Sequence, residues 1–139
     1  MTDVKELLTR LTQVDRNYTR LLNRGFQNAG FNLSREQYEL LQVLWEKENV
    51  NQQFIAKTLH KDKYNITKLL NTLQKRGFIQ RKAGKEDKRN NFVVLTDMGR
   101  AAEEALSRVE EQVHTDISFT LSAQEVKSMV WMLKKMKME

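Results

Sequence analysis

Residues 77–99 read GFIQRKAGKEDKRNNFVVLTDMG, two short apolar runs separated by a charged interval. Residues 78–82 and 91–95 are expected as strands: Phe78, Ile79, Phe92, Val93 and Val94 are aromatic or β-branched, and glycine or polar residues bound each run. The eight residues 83–90 between them exceed the roughly 2–5 of an ordinary hairpin loop. Lys85, Glu86, Asp87, Lys88 and Arg89 fill that interval and can bury almost nothing, so the loop is expected to reach outward. Taken alone, it also reads as a solvated turn.

Immediately before the hairpin, Asp62 is a candidate N-cap, and Ile66, Leu69, Leu70 and Leu73 line one face of a helix that Gly77 ends. At 1.5 Å per residue the helix runs roughly 21 Å, enough to lie along a major groove of duplex DNA. Opposite its apolar stripe stand Tyr64, Lys68 and Asn71, flanked by Asn65 and Thr67 and preceded by Lys63. These side chains donate, accept and stack: asparagine pairs with adenine, and lysine with guanine. A shorter helix marked by Phe54, Ile55 and Leu59 precedes it, with residues 60–62 as the connection. The order is that of a helix-turn-helix followed by a hairpin.

Charge sharpens this reading. The chain carries a net charge of +6, but residues 51–96 hold eleven Lys and Arg against three acidic residues, a net +8, which leaves −2 for the remainder. A basic middle between slightly acidic ends implies one polyanion-binding surface. A basic finger beside a helix fits a phosphate backbone and a narrow minor groove, where arginine is favoured.

The flanks read as long amphipathic helices. Val4, Leu7, Leu11, Val14, Tyr18 and Leu21 recur every three or four residues before Gly30. Ser34 with Gln37 has the spacing of a capping box, and a second helix is expected to about Lys47. Thr96 is a candidate cap for a helix carrying Ala102, Leu106, Val109, Val113 and Ile117. Ser122 with Glu125 opens the last helix, whose stripe is Val126, Met129, Val130, Leu133 and Met136, with Trp131 off its centre. Such a broad stripe packs inside one monomer or against a second subunit, and the pattern alone leaves both open.

Several functions are excluded or disfavoured. Cysteine is absent, which removes disulfides, thiolate metal sites and thiol redox switching. The two histidines, His60 and His114, lie far apart, so no metal site is expected. Neither a glycine-rich phosphate loop nor a nucleophile elbow occurs, so an enzyme is not expected, nor any cofactor. With no long apolar run and no export signal, no membrane partner and a cytoplasmic location are expected.

In this order of elements the chain resembles the multiple-antibiotic-resistance regulator (MarR) family of winged helix-turn-helix transcription factors over nearly its whole length. Asp87, Arg89, Leu95, Thr96 and Gly99 match the family's D-x-R and L-T-x-x-G wing pattern. The resemblance implies a mainly α fold with a small β-hairpin wing: one domain over 1–139, a DNA-binding region at 33–96 and helical dimerisation regions at 1–30 and 97–139. It implies that Arg89 enters the minor groove while Asp87 orients wing arginines such as Arg81. Lys88 stands where arginine is common, which weakens bidentate contact there. It implies a homodimer, for which Leu7, Leu11, Val14, Tyr18, Val126, Val130, Trp131 and Leu133 are the candidate interface. A small aromatic effector near Tyr18, Phe26, Tyr38 and Trp45 is a further expectation, weighed against the commoner role of such aromatics as core. The expected function is a sequence-specific DNA-binding regulator, a dimeric repressor at a pseudo-palindromic site in double-stranded DNA. The rivals are a non-specific architectural DNA clamp and a winged-helix adaptor that binds proteins.

Overall fold

The computed structural model describes residues 2–84, 91–118 and 120–136. Six helices and three strands occur among the described residues, in the order α1 (Thr2–Asn28), α2 (Arg35–Glu46), β1 (Val50–Asn51), α3 (Gln52–Leu59), α4 (Lys63–Lys75), β2 (Ile79–Ala83), β3 (Asn91–Leu95), α5 (Asp97–Ser118) and α6 (Ala123–Lys135).

Local chemistry sets most helix ends. Ser34 Oγ accepts from the Gln37 amide while Gln37 Oε1 accepts from the Ser34 amide, closing a capping box that satisfies two otherwise orphaned donors. Asn51 and Asp62 cap α3 and α4 by accepting from the Phe54 and Asn65 amides at 2.8 Å. At the end of α4, Phe78 N donates to Leu73 O and Gly77 N to Gln74 O, both at 3.0 Å, with Gly77 at φ +87°. This is a Schellman motif, and it needs the left-handed conformation that glycine adopts without strain. Because Phe78 completes that motif, β2 starts at Ile79 and not at Phe78.

The sheet is three-stranded and antiparallel, in the order β1-β3-β2. In β1, Val50 pairs with Val93 and Asn51 with Phe92. The β2–β3 register sets Arg81 opposite Val93. Opposed residues of an antiparallel pair point to the same face, and Val93 is fully buried. Arg81 is thereby turned toward the helices.

One core joins all elements but α6. Leu22 and Phe26 from α1, Tyr38, Leu41 and Leu44 from α2, Ile55, Ile66, Leu70 and Leu73 from α3 and α4, Ile79 and Val93 from the sheet, and Ala102 and Leu106 from α5 belong to it. Each large member contributes roughly 1.5–3 kcal/mol by its burial. Residues 120–135 are all exposed, as are residues 3–17 except the half-buried Leu11. The two ends of the chain thus carry apolar stripes outside the core.

Candidate nucleic-acid interface

The buried stripe of α4, Ile66, Leu70 and Leu73, fixes what its other face shows. Lys63, Tyr64, Asn65, Lys68 and Asn71 are all exposed there, and Tyr64 is 72% accessible, an uncommon exposure for an aromatic side chain. The Lys68 ammonium lies 5.5 Å from the centre of the Tyr64 ring. Tyr64, Lys68 and Asn71 follow each other at steps of four and three, forming one line along the helix.

The members of this face are not equally free. Asn65 donates from Nδ2 to Asp62 Oδ2 at 3.1 Å, so the capping aspartate also orients its amide. Thr67 is half-buried; its hydroxyl donates to Lys63 O at 2.9 Å and accepts from Gln52 Nε2. Thr67 therefore fastens α3 to α4 more than it faces outward. Gln52 also reaches Lys63 O at 3.4 Å, a fixing role that its position in the sequence does not announce.

Arg81 is bound to the same face. Its Nε donates to Gln74 Oε1 and its Nη2 to Asn71 Oδ1, each at 2.7 Å. The wing strand and α4 are joined through one guanidinium. Gln74, like Gln52, is a residue that sequence reasoning missed. It follows Asn71 by three positions on the helix, but only the strand register reveals their shared partner.

Some of the basic charge is engaged elsewhere. Arg76 donates to Asn32 O and to Gln37 Oε1, pinning the end of α4 to the start of α2. Lys61 pairs with Glu36 at 3.3 Å. The surplus counted over 51–96 thus overstates the charge free on the reading face. Lys85, Asp87, Lys88 and Arg89 lie outside the described residues.

The base of the hairpin explains the L-T-x-x-G residues. The Thr96 hydroxyl donates to Gly77 O and accepts from Gly99 N, and Thr96 N donates to Phe78 O at 3.1 Å. A Cβ at Gly99 would overlap the Phe78 carbonyl oxygen. This motif clamps the hairpin to α5 and to the end of α4.

Leu7, Val14, Val126, Val130, Trp131 and Leu133 are exposed, Val14 and Trp131 by more than 60%, whereas Tyr18 turns inward. The Arg35 guanidinium lies 4.6 Å over its ring, and a 2.7 Å hydrogen bond joins its hydroxyl to His114 Nε2. Phe26, Tyr38 and Trp45 form a run of tilted and edge-on aromatic contacts, with centroids 4.9 and 5.8 Å apart. Phe26 and Tyr38 are fully buried; they fill the core. Burial, then the charge of Glu110, pushes the Tyr38 hydroxyl up to about 12. No group of His, Asp or Glu suited to a metal occurs among the described residues, and none of their helices is long and apolar enough to cross a membrane.

A family model described as the MarR family matches residues 33–90. The HTH-type transcriptional regulator MgrA of Staphylococcus aureus is 30% identical over 122 residues, covering 86% of this chain and 82% of MgrA. The HTH-type transcriptional regulator YdgJ of Bacillus subtilis is 28% identical over 105 residues, covering 76% of this chain and 64% of YdgJ, less than two-thirds of that relative. A crystal structure of mutant E. coli MarR complexed with operator DNA superposes with a TM-score of 0.87 at 25% identity, covering 96% of this chain and 94% of that one. The chain belongs to the MarR family of winged helix-turn-helix transcriptional regulators.

Proposed function

We propose that this regulator is a cytoplasmic homodimeric repressor that reads a pseudo-palindromic site in double-stranded DNA and is released by a small aromatic effector. The observation that carries the reading is the continuity of the exposed line Tyr64–Lys68–Asn71 with Arg81 on the wing strand. A helix in the major groove supplies base contacts, and a wing supplies contacts to backbone and minor groove. In this assignment Tyr64, Asn65, Lys68 and Asn71 read base edges, while Thr67 and Arg81 hold the reading surface. Lys63, Lys85 and Lys88 contact phosphates, Arg89 enters the minor groove, and Asp87 orients wing arginines such as Arg81. The similar E. coli MarR structure contains operator DNA, and the similar CouR structure, with a TM-score of 0.83, contains a 23-mer duplex.

The exposed stripes of α1 and α6 supply the dimer contact. A helix as short as α6 is marginally stable in water by itself, and its apolar face gains stability only by being covered. Leu7, Leu11, Val14, Val126, Val130, Trp131 and Leu133 are assigned to that contact. The effector would enter beside Tyr18 and Arg35, because Phe26 and Tyr38 present no accessible surface.

The test is selection of binding sites from fragmented genomic DNA, then titration of the selected site against random duplex at fixed salt. A preference of about 10³–10⁷ is expected of a specific regulator. A preference below about tenfold favours a non-specific clamp and overturns the reading.

A further inference from the structure

Asn71 is the side chain of the reading face whose orientation is dictated from the wing strand. Arg81 Nη2 donates to its oxygen and Arg81 Nε donates to the oxygen of Gln74, both at 2.7 Å. A guanidinium has donors only, so chemistry alone demands that Asn71 turn its carbonyl toward Arg81. Gln74 supplies a second anchor, which fixes the plane of the guanidinium. Arg81 cannot swing outward without breaking both bonds.

We infer that Arg81 positions the Asn71 amide so that Asn71 offers DNA its Nδ2 donor and not its carbonyl, making Asn71 a selector against cytosine. The inference rests on the DNA-reading function proposed above and specifies what one residue reads. Bidentate recognition of adenine needs an acceptor for the N6 amine together with a donor for N7. With Oδ1 held by Arg81, Asn71 faces the groove with a donor. Guanine offers O6 and N7, thymine O4 and adenine N7, whereas cytosine shows only its N4 donor in the major groove. Asn71 then accepts three bases and rejects the fourth, and adenine loses its usual advantage. Arg81 acts as a positioning residue through Asn71, not as a phosphate contact.

The test is site selection from a half-site library by the full chain, comparing wild type with Asn71→Ala, Asn71→Asp, Arg81→Lys and Arg81→Met. Asn71→Ala locates the dependent position. Wild type should exclude cytosine there. Asn71→Asp keeps an oxygen for Arg81 but loses the donor, and should move preference to cytosine by about tenfold. Arg81→Met frees the amide to rotate and should raise adenine at that position by about tenfold, while Arg81→Lys, which still donates, should keep the wild-type preference. A uniform loss of affinity in Arg81→Met, with the salt slope lowered by about one charge, would show a phosphate contact and overturn the inference. An adenine preference already present in wild type and unchanged by Arg81→Met would overturn it as well. If wild type enriches no sequence, the proposed function itself fails and takes this inference with it. An enriched motif with no Asn71-dependent position defeats the inference alone.

Discussion

Trp45 Nε1 donates to the Gly99 carbonyl oxygen at 2.9 Å, tying α2 to the first turn of α5. Gly99 is thus held from two sides, by the indole on its carbonyl and by the Phe78 carbonyl oxygen against its Cα. The signal read as a wing motif is a joint between the hairpin, α2 and α5.

Gly99→Ala should therefore destabilise the chain by about 1–3 kcal/mol, because backbone must move to admit the methyl group. An unconstrained helix position predicts the reverse sign, since alanine is favoured over glycine by about 1 kcal/mol. Urea unfolding separates the two. A more stable Gly99→Ala variant would show that the close approach at Phe78 is not maintained in solution.

Alkaline pH gives a second test of the core. Burial raises the Tyr38 hydroxyl from 10.0 to about 12, so the folded state keeps a proton that the unfolded state releases. Stability from this group is complete below pH 10 and is lost as pH rises toward 12. Tyr38→Phe should unfold in urea with a shallower loss of stability across that interval than wild type, after both are normalised to neutral pH. Parallel curves would place the Tyr38 hydroxyl in contact with water.

The exposed α6 stripe predicts an oligomer that one charge can break. Trp131→Glu alters a side chain 63% exposed in the single chain, so the internal core should survive while the buried pair of stripes does not. Light scattering at micromolar concentration should report a dimer for wild type and a monomer for the variant. Half-sites of the bound DNA should lie about 34–36 Å apart. A wild-type monomer that protects a full palindrome in footprinting would rule out the dimer.

The capping boxes at Ser34 and Ser122, the Asp62 cap and the Gly77 stop were legible in sequence because each joins residues within five positions. The hairpin was legible because aromatic and β-branched residues gather in two runs with a charged interval between them. What stayed hidden pairs distant segments: β1 against β3, Gln52 with Thr67, Trp45 with Gly99, and Arg81 with Asn71 and Gln74. Residue types along the reading face were therefore readable, but not which of them are already bound to protein. Tyr18 illustrates the same limit, since its place in an apolar stripe gave no sign of Arg35 and His114 beside it.

Asn65 and Asp62 should separate reading from capping. Asp62→Ala removes the cap and should cost about 1 kcal/mol of stability, together with the constraint on the Asn65 amide. Asn65→Ala should leave unfolding nearly unchanged and flatten base preference at particular operator positions, by roughly 1–3 kcal/mol of discrimination. Equal weakening on every sequence would remove Asn65 from base reading.

Arg89 should be the most sensitive residue of the wing. A guanidinium in the minor groove gains both the negative potential of the groove and directional hydrogen bonds, so Arg89→Ala should weaken operator binding at least about tenfold and lower the salt slope. Thermal stability should move little, because a segment of sequence so rich in charge has little apolar surface to bury. Asp87→Ala should reproduce part of the binding defect although it removes a negative charge from a surface that meets phosphates. Simple Coulomb attraction gives the opposite sign, which makes this pair of variants decisive. Operator affinity is to be measured for both across a salt series. Tighter binding by Asp87→Ala at every salt concentration would eliminate the orienting role and leave the loop acting only through its net positive charge.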